Sequence, residues 1–192
     1  MPIEIEKKYR LTKKQRQELQ RRLPEIGAVF GGEEFEENTL YNGDRLNLGT
    51  CVLRLRRVGD AAGALLTYKQ RFPSASSIKQ QQENETHVSD ADATDAILKA
   101  LGYEPALVYE KRRSIWRLDD AEVDLDELPF GLFMEIEANT DEIVRVEKLL
   151  SMKGLRAELE TYPDLTLKHG KRHGDFVESR FPVAKPAPRK TG

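Results

Sequence analysis

Alternation with a period of two runs through most of this chain, interrupted by three longer stretches of helical period. In the first strand Glu4, Glu6, Lys8 and Arg10 fall on one face and Ile3, Ile5 and Tyr9 on the other. Thr12 and Gln15 then form a capping box, and Leu19, Leu23 and Ile26 run at helical spacing to a stop at Gly27. Residues 33–41 are extended, and Asn42, Gly43 and Asp44 make a turn. The alternation over 51–58 sets Leu53 and Leu55 against Arg54 and Arg56. A glycine-bounded turn at 59–63 returns the chain along 64–71, where Thr67, Lys69 and Arg71 share a face.

After a loop bearing Pro and Ser at 72–77, residues 79–88 predict a strand with Glu83, Glu85 and His87 in register. Ser89 and Asp92 are expected to cap a helix that ends at Gly102. A long strand over 107–118 puts Lys111 and Arg113 on one face, and 121–128 does the same for Asp124 and Asp126. Over 132–138, Leu132, Met134 and Ile136 oppose Phe133, Glu135 and Glu137. A helix opens at Thr140, runs to about Lys153 and stops at Gly154; a short strand (157–160) and a brief helix (164–168) follow. The expected organisation is one domain over 1–169 and a basic, proline-bearing flexible tail over 170–192. No fixed-period repeat is visible.

The alternation also sorts charge by strand. Acidic pairs fall at Glu4/Glu6, Glu83/Glu85, Asp124/Asp126 and Glu135/Glu137, and basic pairs at Arg54/Arg56, Lys69/Arg71 and Lys111/Arg113. Ordinary solvent faces mix signs, because like charges directly opposite one another destabilise a sheet. Closing the strands into a barrel would turn both sets inward, with helices covering an apolar outside. Buried like charges persist only where a partner neutralises them. For the carboxylates that partner is Mg²⁺ or Mn²⁺, hard cations that take oxygen ligands. For the cations it is a polyphosphate, gripped bidentately by Arg and met as a point charge by Lys. A metal-bound triphosphate satisfies both sets together.

Composition agrees with an enclosed site. The 192 residues carry 31 basic and 33 acidic side chains, a net charge of −2, so no global field is directed at nucleic acid or an anionic membrane. Charged residues make up 33% of the chain, above the usual quarter, which suits a protein that hides charge inside a site as well as displaying it. The single cysteine, Cys51, excludes an internal disulfide framework and a multi-cysteine metal site. With no long apolar run and no basic-then-apolar leader, the expected location is the cytoplasm.

Other chemistry fits less well. His87, His169 and His173 lack zinc-site spacing, and neither common glycine-rich phosphate loop is present. Ser114 has no His/Asp context of a nucleophile. Tyr109 and Trp116 read as barrel or core residues, and Lys171, Arg172, Lys185, Arg189 and Lys190 as solvated tail cations.

Taken in order, Glu4-x-Glu6-x-Lys8, Leu53-Arg54-Leu55-Arg56, Thr67-Tyr68-Lys69, Glu83-x-Glu85, Glu110-Lys111-Arg112-Arg113, Leu125-Asp126-Glu127-Leu128 and Glu135-Ile136-Glu137 resemble the CYTH superfamily of triphosphate tunnel metalloenzymes over about residues 2–168. Leu101-Gly102-Tyr103-x-Pro105, followed by Glu110 to Ile115, looks particularly like its class IV adenylyl cyclase branch. Gln81 stands where the family often has a cation, and Thr161-Tyr162 where it has Ser-Tyr.

The resemblance implies an α+β fold built on a closed eight-stranded antiparallel barrel. Lys8, Arg54, Arg56, Lys69, Lys111 and Arg113 would hold and activate the phosphate chain, with Arg10 and Arg71 as further substrate contacts. Glu4, Glu6, Glu135 and Glu137 would position Mg²⁺ or Mn²⁺, assisted by Asp126, Glu83 and Glu85. Triphosphate hydrolysis is the leading expectation, cyclisation of ATP to cyclic AMP and pyrophosphate the alternative, and a non-catalytic polyphosphate-binding module a remoter one. The expected partner is a small-molecule triphosphate rather than nucleic acid or membrane, and a homodimer stays open.

Overall fold

A computed structural model describes residues 3–43, 46, 49–72, 76–151 and 154–182. Asp44, residues 73–75, Lys153 and the tail cations Lys185, Arg189 and Lys190 lie outside them. In chain order the elements are β1 (Ile3–Leu11), α1 (Lys13–Glu25), β2 (Val29–Asn42), β3 (Cys51–Val58), β4 (Ala64–Arg71), β5 (Ile78–Val88), α2 (Ala91–Ala100) and β6 (Glu104–Leu118). There follow β7 (Ala121–Leu128), β8 (Gly131–Glu137), α3 (Thr140–Leu150), β9 (Arg156–Ala157), α4 (Tyr162–His169), β10 (Lys171–His173) and β11 (Phe176–Ser179).

Eight strands in the order β6-β2-β3-β4-β5-β1-β8-β7, all antiparallel, close into a barrel through the β7–β6 pairing. Two further strands patch its wall. β9 pairs with β1 at Tyr9 and Arg10, beyond the stretch that β5 covers. β11 runs parallel to β6 at Leu107, Val108 and Tyr109, before β7 takes up pairing at Arg112.

The helices cover the apolar outside. The Thr12–Gln15 box caps α1, and its Leu19 and Leu23 are fully buried against Tyr9, Leu125, Met134 and Ile136 of the barrel and Ile143 and Val146 of α3. Burying each such Leu or Ile stabilises the fold by roughly 1.5–3 kcal/mol. Gly27, at φ +92, turns the chain out of α1 in a conformation that side chains disfavour. On the opposite wall Ala91 and Leu98 of α2 pack with Tyr41 and Leu55. A third cluster (Leu107, Leu128, Phe133, Tyr162 and Leu165 among its members) seats α4 across one end of the barrel.

Three expectations are corrected. The cap of α2 is Asp90, whose carboxylate accepts from the Ala93 amide at 2.9 Å, rather than Ser89 or Asp92. α3 ends at Leu150, because Ser151 adopts a left-handed conformation (φ 49) three residues before Gly154. The flexible tail does not begin at Gly170: residues 171–173 and 176–179 form β10 and β11, of which β11 pairs with β6 and β10 with β11.

Candidate active site: a charged tunnel

Because side chains alternate across a strand, the even positions of β1 face the barrel interior and Ile5 and Tyr9 face the helices. The same alternation turns Arg54 and Arg56, Lys69 and Arg71, Glu83 and Glu85, Lys111 and Arg113, and Glu135 and Glu137 inward. Together with Glu4, Glu6 and Lys8 they line an interior cavity of about 260 Å³. The acidic and basic strands thus face one another across an enclosed channel.

Strand register places most cations directly opposite carboxylates. Lys69 faces Glu83, Lys8 faces Glu135, Lys111 faces Glu36, and Arg113 faces Asp126. The contacts follow. Lys69 donates to Glu4 at 2.7 Å and lies 2.8 Å from Glu83. Lys8 lies 3.3 Å from Glu135 and sits 3.8 Å over the Tyr162 ring. Arg54 donates to Thr67 and Glu85. Arg113 grips Asp126 bidentately at 2.9 and 2.7 Å, donates to Glu135 at 2.6 Å and also meets Asp124.

Two rows break the pattern: in one Asp124 stands opposite Glu135, with Arg113 contacting both, and the other holds three acids. Glu6 stands opposite Glu137, and Glu137 opposite Glu122, so three carboxylates lie side by side across β1, β8 and β7. Lys79 closes the row opposite Glu6, at 3.9 Å, and its ammonium has no hydrogen-bond partner among the described residues.

The electrostatics record this division. Burial would raise Glu36, but Lys111, Arg56 and Arg113 outweigh it and hold its carboxyl far below the ordinary range. Glu135 is likewise held down, against its burial, by Lys8 and Arg113. In the like-charged row neighbouring carboxylates reinforce burial, and together they outweigh the opposing pull of Lys69 on Glu137 and of Lys8 on Glu6. Glu137 is pushed up to about 7 by burial and by Glu4, with Glu122 and Glu6 adding to the rise. Glu6 is raised by burial and by Glu135. Burial also lifts Asp124 to about 8 against the pull of Arg113, and Glu83 to about 9, where it stands beside Glu4.

Such a set fits a hard divalent cation. Its donors are carboxylate oxygens, they crowd without enough positive charge, and Asp124 Oδ1 is buried with no hydrogen-bond partner among the described residues. Among the described residues no three acidic, histidine or cysteine side chains already converge on one point.

Two expected site residues sit elsewhere. Arg10 shares the inward parity, but Glu158 draws it off at 3.0 Å; it lies over the Phe133 ring and does not line the cavity. Asp126 is completely buried behind the lining, held by Arg113, by the Tyr162 hydroxyl at 2.8 Å and by Lys111 at 3.5 Å. Four residues are added. Glu36 and its hydrogen-bond partner Asn38 anchor Arg56 and Lys111 from β2, Glu122 is the third member of the acidic row and Lys79 stands at its other end. Continuing the parity of Glu83/Glu85 back to Lys79, and of Asp124/Asp126 back to Glu122, signals the last two.

A charged tunnel inside an eight-stranded antiparallel barrel defines a class, and sequence comparison agrees. The profile of the CYTH domain matches residues 2–162, and the chain belongs to that family. A Methanocaldococcus jannaschii protein provisionally described as an adenylate cyclase is 27% identical over 150 residues, covering 77% of this chain and 83% of its own. Among solved structures, a Pyrococcus horikoshii OT3 protein superposes with a TM-score of 0.73 at 26% identity, covering 84% of this chain and 98% of its own. A Hippeastrum protein, described as a provisional adenylyl cyclase with a dominant triphosphatase activity, superposes at 0.68 with 18% identity, covering 90% and 98%. Among the described residues no helix is long and apolar enough to cross a membrane.

Proposed function

We propose that this chain is a divalent-metal-dependent enzyme that hydrolyses a small-molecule triphosphate. The observation that carries the reading is the pairing inside one cavity of a cation-rich wall with a row of three mutually repelling carboxylates. Lys8, Arg54, Arg56, Lys69, Lys111 and Arg113 hold the phosphate chain and offset the charge that develops as a phosphoryl group transfers. In the free protein these cations rest on Glu4, Glu36, Glu83, Glu85, Asp126 and Glu135, so phosphate oxygens replace carboxylates that already preorganise them. Glu36 and Asp126, behind the lining, fix the donors from the rear, and this role replaces metal ligation for Asp126. Glu4, Glu6 and Glu137, with Glu135, would hold Mg²⁺ or Mn²⁺, which supplies Lewis-acid neutralisation of phosphate charge when bound.

A second reading, formation of cyclic AMP and pyrophosphate from ATP, is supported by the description of the Methanocaldococcus jannaschii relative. The triphosphatase activity described for the Hippeastrum protein, which shares this fold, supports hydrolysis. Incubation with Mg²⁺ or Mn²⁺ and, separately, tripolyphosphate, thiamine triphosphate and ATP separates them. Orthophosphate release is expected; cyclic AMP with pyrophosphate would establish the second reading, and no turnover with tight binding would leave a binding module.

A further inference from the structure

The β10–β11 hairpin lies past residue 162, where the family match ends, yet it packs onto the element that carries Tyr162. Gly170 is where the two meet. Its amide donates to the Thr166 carbonyl of α4 at 2.7 Å. A Cβ at Gly170 would lie 2.6 Å from that carbonyl oxygen, 2.8 Å from the Glu178 carbonyl oxygen and 2.8 Å from Val177 Cγ1. The backbone there is φ −74, ψ 166, which any residue adopts, so space alone demands glycine.

The hairpin is fastened to the barrel from its other side. Val177 and Ser179 are buried in the parallel pairing with Leu107 and Tyr109. Arg180 bridges Glu178, Glu37 and Glu110, tying β11 to β2 and β6. The Phe181 amide donates to Glu110 at 2.7 Å, and its ring lies under the Arg112 guanidinium at 4.0 Å.

We infer that this hairpin positions Tyr162 for the tunnel: β11, seated on β6, presses the end of α4 inward through Gly170 and so fixes the tyrosine against Lys8, Lys111 and Asp126. Thr166, one turn along α4, is fully buried and donates to the Tyr162 carbonyl at 2.7 Å, which connects the pressed end to the tyrosine. The Tyr162 ring then supports Lys8 at 3.8 Å and lies 5.6 Å from Lys111, while its hydroxyl donates to Asp126. Gly170 and Arg180 are positioning residues and Tyr162 is the group they act through. The inference rests on the proposed function, in which Lys8 and Lys111 meet phosphate.

A double-mutant cycle tests it on the full chain, reading the Kd for inorganic tripolyphosphate by calorimetry in EDTA, with thermal unfolding alongside. Gly170→Ala is expected to weaken binding about ten-fold in the wild-type background and less than about two-fold in the Tyr162→Leu background, which lacks both the ring and the hydroxyl, because coupled residues are non-additive. Arg180→Ala, on the surface, runs the same cycle if Gly170→Ala does not fold. Independent, multiplying losses, or a folded hairpin variant with wild-type Kd, would overturn the inference while leaving the proposed function standing. A wild-type chain that binds no tripolyphosphate would overturn both.

Discussion

Glu6 and Glu137 stand directly opposite each other on β1 and β8, both facing the tunnel, and each holds its proton more tightly than a free carboxyl group. The other facing acidic pair, Asp124 and Glu135, shares Arg113, whereas among the described residues no ion pair joins Glu137 to a cation, so Glu6 and Glu137 mark where the barrel is short of positive charge. Removing one member relieves repulsion in the metal-free protein. Glu137→Gln is expected to unfold at a higher temperature than wild type in EDTA, by up to about 1 kcal/mol of stability. It is also expected to lose most of the stabilisation that Mg²⁺ or Mn²⁺ gives wild type. Paired thermal unfolding with and without metal checks both signs.

Asp126 separates an anchoring role from metal ligation. Asp126→Ala leaves Arg113 and Lys111 short of a buried counter-charge and Tyr162 without its acceptor, and should cost about 3–5 kcal/mol. Asp126→Asn, which keeps the shape and one acceptor, should cost less and leave Mn²⁺ affinity within about two-fold of wild type. A large loss of Mn²⁺ affinity in a folded Asp126→Asn protein would return the residue to the metal site.

Glu36 is one of the carboxylates that make the fold sensitive to acid. Its carboxyl is depressed below the ordinary 4.5, because Lys111, Arg56 and Arg113 outweigh its burial. The stability it contributes is therefore fully present above about pH 4.5 and is lost as pH falls below that value. Glu36→Gln should be destabilised by about 3–5 kcal/mol at neutral pH, with the gap to wild type narrowing as pH falls from about 5 towards 3. Denaturant unfolding across that range measures the gap.

Arg56 and Arg10 form an internal contrast. Arg56 lines the cavity, whereas Arg10 is held outside it by Glu158. Arg56→Ala should weaken tripolyphosphate binding by about ten- to a hundred-fold, as expected for loss of one charge-assisted contact. Arg10→Ala should stay within about two-fold and cost less than about 1 kcal/mol of stability, the usual worth of an exposed ion pair.

The barrel and the cation wall were legible because period-two alternation needs no knowledge of neighbours: parity alone sends Glu4, Arg54, Lys69, Lys111 and Glu135 to one side. What escaped depends on distant partners or on mixed faces. β2 carries Glu33, Glu34, Glu36 and Glu37, so both faces look acidic and the inward Glu36 is indistinguishable until register sets it opposite Lys111. Arg10 obeys parity, yet Glu158, far along the chain, draws it out. β10 and β11 span three and four residues, too short for a period; β11 is set by a parallel pairing with β6, and β10 by its antiparallel pairing with β11.

The measurement that bears most directly on the account follows the ³¹P resonances of tripolyphosphate as protein is added in EDTA, for wild type and for Arg54→Ala/Arg56→Ala. Saturable shifts at one equivalent in wild type, abolished in the double variant while its fold persists, are the predicted result. Unshifted resonances with wild-type protein, or equal shifts with the variant, would contradict a barrel whose inner cations meet the phosphate chain.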